Sequence, residues 1–71
     1  MLQITVRNSE TDTIIRRVDT MDSLQNAWNT TATWLHKYCA VDYTHCKWWE
    51  NSAVVYNGNT IVMTINIEAI N

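Results

Sequence analysis

Leu2, Ile4 and Val6 alternate with Gln3, Thr5 and Arg7, the period of two that marks a strand with one buried face. Asn8-Ser9-Glu10-Thr11-Asp12 is a polar turn cluster, and Thr13 to Val18 resumes a β-branched run, so residues 1–18 predict an antiparallel hairpin. Its register has two solutions. Unbroken alternation sets Arg16 beside Ile14 and Val18 on the core side, whereas a bulge would turn Ile15 inward. The period then changes. Leu24, Trp28, Ala32, Leu35 and Cys39 recur at helical steps, with Ala27, Thr31, Trp34 and Tyr38 as the adjoining row. Asp22-Ser23-Leu24-Gln25 has the form of a capping box, and Asp19 and Thr20 precede it, so the helix is expected to start near residue 20. It should end around Cys39 to Val41. Tyr43 to Glu50, Ala53 to Tyr56 and Ile61 to Glu68 read as three further strands, joined through Asn51-Ser52 and Asn57-Gly58-Asn59. The order ββαβββ predicts an α+β domain over 1–71, a mainly antiparallel sheet with one amphipathic helix on one face.

A chain of 71 residues allows one core. Area scaling has it bury only about 60% of its unfolded surface, a thin margin that a second copy would widen. With 46% hydrophobic and 17% charged residues, including four Trp and three Tyr, it is too apolar for a disordered segment. Two-residue turns on both sides of the fourth strand would set Trp49, Val54, Tyr56, Ile61, Met63, Ile65 and Ile67 against the helix. Trp48, Val55 and Val62 would then share the opposite face, near Cys46 and Ala53, where one helix cannot cover them. Such a patch marks association, unless a loop or the opening hairpin folds over it. Trp48, Val55, Val62 and Tyr43 are therefore the expected partner-binding residues, and a symmetric homodimer through that face or along an exposed strand edge is the expected assembly.

Charge narrows the class of partner. Five basic against seven acidic residues give a net charge of −2, and the adjacent pair Arg16 and Arg17 would point to opposite faces of a strand. No basic stripe forms, which argues against a nucleic-acid partner. No apolar run reaches the roughly 20 residues of a membrane span, and the alternating start lacks a basic leader and an apolar signal core. A cytoplasmic location is expected, with Cys39 and Cys46 as reduced thiols.

His36, Cys39, His45 and Cys46 form the one metal-like constellation. Its geometry is poor, since His45 and Cys46 are strand neighbours facing opposite ways and Cys39 sits on the apolar helix stripe. No metal or other cofactor is implied. A thiol and imidazole pair without a glycine-rich oxyanion loop or an orienting acid gives no enzyme motif either. Expectation settles on a non-enzymatic binding protein; the alternative is a small-ligand or nucleotide-sequestering oligomer using Tyr43, Trp48 or Trp49 at a subunit boundary.

The chain is short, holds one Gly and no Pro, fills its turns with Asn and Thr, and has aromatic residues to spare for contacts. In this it resembles small accessory proteins of bacteriophages, among them compact α+β inhibitors of host machinery. The resemblance implies binding to a host protein by occlusion or sequestration in the host cytoplasm.

Overall fold

The computed structural model describes residues 1–39 and 46–70. Strand β1 (Leu2–Asn8), strand β2 (Thr13–Thr20), helix α1 (Leu24–Cys39) and strands β3 (Cys46–Trp48), β4 (Ser52–Asn57) and β5 (Thr60–Ala69) follow one another along the chain. The strands form one sheet in the order β2-β1-β5-β4-β3, with every neighbouring pair antiparallel. The ββαβββ reading holds. What local pattern does not contain is the central pairing of β1 with β5, which joins the opening hairpin to the closing meander.

Local chemistry explains the described junctions, and between β3 and β4 the Trp49 amide donates to the Ser52 carbonyl at 2.8 Å, so the turn is Glu50-Asn51 and not the expected Asn51-Ser52. The Asn8 carboxamide oxygen accepts from the amides of Glu10 and Thr11, an Asx turn, and Asp12 completes the reversal at φ 54°. At the helix start, Ser23 Oγ accepts from the Asn26 amide at 3.3 Å and the Ser23 carbonyl from Ala27 at 2.9 Å. Ser23 is the N-cap, so the helix begins at Leu24 and not near residue 20, and Gln25 stands one position short of a capping-box partner. Between β4 and β5, Asn57 pairs with Thr60 around Gly58-Asn59, and Gly58 alone of the two has positive φ, 64°, the pattern of a type II′ turn.

The core lies between the sheet and the helix. Ile4 and Val6 of β1, Ile65 and Ile67 of β5, and Ala53 and Val55 of β4 meet Ala27 and Leu35 of α1. Thr31 is buried in the same helix row with its hydroxyl donating to the Ala27 carbonyl at 2.8 Å, so its burial leaves no hydroxyl without a partner.

Two bulges set the faces. On β2 the register slips between Val6 and Arg7, leaving Ile15 as the extra residue, while Arg16 stands opposite Val6 on the helix side. Ile15 does not turn inward; it is 43% exposed. On β5 the slip falls at Val62: Tyr56 pairs with Ile61, but Val55 pairs with Met63 and Ala53 with Ile65. That one extra residue inverts the face expected of β3 and β4. Cys46, Trp48, Ala53 and Val55 do share a side, but it is the helix side, and Val54 and Tyr56 face away. The far face carries Gln3, Thr5, Arg7, Arg17, Asp19, Thr64, Asn66 and Glu68, a solvated surface relieved by Val54, Tyr56, Ile61 and Ile14, which the bulge turns away from the core side that alternation with Val18 would give it. Among the described residues, no apolar stripe is left uncovered there.

Candidate functional site

Of the described residues expected to bind a partner, none stands where the alternation of the strands would put it. Val55 is 3% exposed and belongs to the core. Val62, the bulge residue, packs half-buried against the same cluster. Trp48 turns toward the helix and meets Trp28 edge to face, centroids 5.1 Å apart and planes at 84°. Trp28 is itself fixed by donating from Nε1 to the Glu50 carbonyl at 2.7 Å, so the indole pair fastens α1 to the β3–β4 turn. Tyr43, like His45, lies outside the described residues. Among the described residues no three His, Cys, Asp or Glu side chains converge on a metal position, and no helix is long and apolar enough to cross a membrane.

A different surface has the makings of a site. Helix α1 packs closest to β1, so a groove remains between its outer flank and the edge strand β2. Trp34 and Tyr38, four residues apart, rise from the same side of the helix with centroids 6.4 Å apart. Arg16 reaches up from β2, its guanidinium carbon 4.8 Å from the Trp34 centroid. Lys37 lays its ammonium 5.4 Å from the Tyr38 centroid. Asn29, Thr30 and Thr33 complete the lining.

Burial explains the arrangement. Arg16 holds a core-side position at the sheet margin, where its aliphatic stem covers apolar surface and its charge is carried out to the rim. The indole face receives that charge in place of a carboxylate. Neither Arg16 nor Lys37 is held by a carboxylate among the described residues, and the lining contains no carboxylate, thiol or imidazole. The groove therefore offers two positive charges, two aromatic faces and neutral hydrogen-bonding groups. Beneath it, sharing Arg16, Thr30 and Trp34, a cavity of about 120 Å³ runs over Val6, Val18 and Ala27, with Asp19 and Asp22 also in its lining.

Sequence reasoning misses this groove although its parts are visible: Trp34 and Tyr38 read as one row of the apolar helix face, and Arg16 as an anomaly of strand parity. A core-side arginine on a strand and an aromatic pair on the covering helix form a mutual solution to each other's placement. Comparison of the chain with protein-family models, with curated proteins and with solved structures returns no match.

Proposed function

We propose that this chain is a non-catalytic protein-binding domain whose docking site is the groove of Arg16, Trp34, Lys37 and Tyr38, and whose partner presents an acidic segment to it. The observation that carries this reading is the pair of cations over aromatic faces, without a carboxylate partner among the described residues, on a chain whose net charge is −2. Positive charge concentrated against the sign of the whole molecule favours a partner's acidic patch over its basic ones. Tyr38, 68% exposed, supplies the aromatic contact area typical of an interface anchor. The resemblance to bacteriophage accessory proteins supports the same class of action, occlusion or sequestration of a host protein.

The test is capture from a bacterial lysate on immobilised wild type, Lys37→Glu and Tyr38→Ala, with mass spectrometry of what is retained. Both side chains are exposed, so the fold is expected to survive either change. A protein held stoichiometrically by wild type and lost by Lys37→Glu supports the reading. Equal retention on all three moves the site elsewhere, and a bound small molecule in place of a protein favours the ligand-sequestering alternative.

A further inference from the structure

Among the described residues, strand β2 is the long free edge of the sheet: eight residues against the three of β3 at the opposite margin. An unpaired edge presents a row of N–H and C=O groups able to accept another strand. The bulge at Ile15 breaks its first half, which leaves Arg16–Thr20 as the regular stretch, each residue in unbroken register with β1. Val18 is the middle of those five.

An edge strand can pair antiparallel with its own copy only about a two-fold axis that sets one residue opposite itself, because the free backbone groups point outward from every second residue and must meet their like. Four axes are open to the regular stretch before it runs out at Thr20. Placed at Arg16 or at Arg17, the axis brings an arginine against its own copy; at Asp19 it brings two carboxylates together. At Val18 it brings Arg17 opposite the partner's Asp19, and does so twice, with Val18 against its own copy and Arg16 opposite the partner's Thr20. Like charges directly opposite destabilise a ladder and opposite charges support it. Electrostatics and the bulge thus select the same centre. Arg17 and Asp19 lie on the solvated face, away from the helix, and both are exposed. The Asp19 carboxylate is held there by the Gln3 amide, which donates to one of its oxygens at 3.1 Å and leaves the second available.

We infer that β2 is a self-pairing edge: two copies of this chain join antiparallel about an axis at Val18, making one continuous sheet of ten strands closed by two Arg17–Asp19 pairs. The axis is normal to the sheet, so both helices lie on one face and the two grooves flank the junction. Arg16 belongs both to the groove and to the paired stretch, so the two proposals are separated through Arg17 and Asp19, which do not line the groove.

The experiment is sedimentation of the full chain, with reductant present, over concentrations reaching the millimolar. Wild type, Arg17→Glu, Asp19→Lys and an equimolar mixture of the two variants are compared, and circular dichroism checks that each is folded. Wild type is expected to dimerise with concentration. Each variant alone places like charges opposite and is expected to raise the dissociation constant about tenfold or more. In their mixture the introduced glutamate of one variant meets the introduced lysine of the other, while the unaltered Asp19 of the first meets the unaltered Arg17 of the second. Opposite charges are thereby restored at both positions, and the mixture is expected to recover dimer as a heterodimer. Lys37→Glu should dimerise as wild type does. A wild type monomeric throughout, single variants that associate undiminished, or a mixture that stays monomeric would each overturn the inference.

Discussion

Asp12 shows how little of a residue's worth can reside in its most visible contact. Its carboxylate pairs with Arg7 at 3.1 Å, but the two side chains are 86% and 41% exposed, and such a pair contributes at most about 1 kcal/mol. The backbone there is left-handed, φ 54°, a region that Asp and Asn tolerate better than other non-glycine residues. Asp12→Asn and Asp12→Ala both remove the ion pair, whereas only the alanine also removes the tolerance. Urea denaturation is expected to show a loss below about 0.5 kcal/mol for the asparagine and a further loss of roughly 0.5–1 kcal/mol for the alanine, with the difference unaffected by salt. Equal losses would return the effect to the ion pair. Arg16 makes the complementary point. Its charge meets the Trp34 indole in place of a carboxylate, so its environment is built by a different element of the chain, and strand parity alone can only flag it as anomalous.

Elements are legible in proportion to how locally they are specified. The β1–β2 hairpin, the amphipathic α1 and the meander of β3, β4 and β5 all follow from periodicity and turn chemistry, and all are present. The helix start is ambiguous in sequence because several capping residues stand in a row, and only the geometry shows that Ser23 holds the cap. Ser23→Ala is therefore expected to cost about 1 kcal/mol in thermal or urea unfolding, independent of salt. Asp22→Ala should cost less, and that cost should fade as salt screens its charge from the helix dipole. The reverse ranking would restore Asp22 as the cap. The faces of β3 and β4 escape sequence reading for a deeper reason. A bulge is one residue long, leaves no compositional trace at Val62, and inverts every side chain beyond it. Packing decides it: with the bulge, Ala53 and Val55 enter the core beside Ile65 and Met63, whereas without it Val54 and Tyr56 would have to do so. The expected Trp48, Val55 and Val62 patch vanishes with that single slip, and the Arg16 and Trp34 groove comes from an element pairing that no local window contains.

At the scale of the molecule, one helix on one sheet face yields a core only one layer thick, and its centre can be named. Ile65 is fully buried, pairs with Val6 on one side and Ala53 on the other, and belongs to the middle strand of five in the order β2-β1-β5-β4-β3. It thus joins the opening hairpin to the closing meander through the pairing most distant in sequence. A domain of this length has a total stability on the order of 4–11 kcal/mol, and truncating a buried isoleucine to alanine costs about 2–5 kcal/mol. The ranges meet only at their ends, so Ile65→Ala is expected to stay folded at room temperature but to lose a large share of its stability, with a clearly lowered urea midpoint. Ile65→Val, costing about 0.5–1.5 kcal/mol, should remain folded with a lower melting midpoint. Ile61, on the same strand but 40% exposed on the solvated face, provides the control, and Ile61→Ala should shift stability by no more than about 0.5 kcal/mol. The gradient across these variants, read by circular dichroism during urea titration, measures how far stability is concentrated at the β1–β5 seam. If Ile65→Ala unfolded no more readily than Ile61→Ala, the core would have to be held chiefly by the helix and the flanking strands. The polar far face adds little to cover such a loss. In the proposed dimer, a second copy joined along β2 would cover the open edge at which the hairpin anchored by Ile65 otherwise ends.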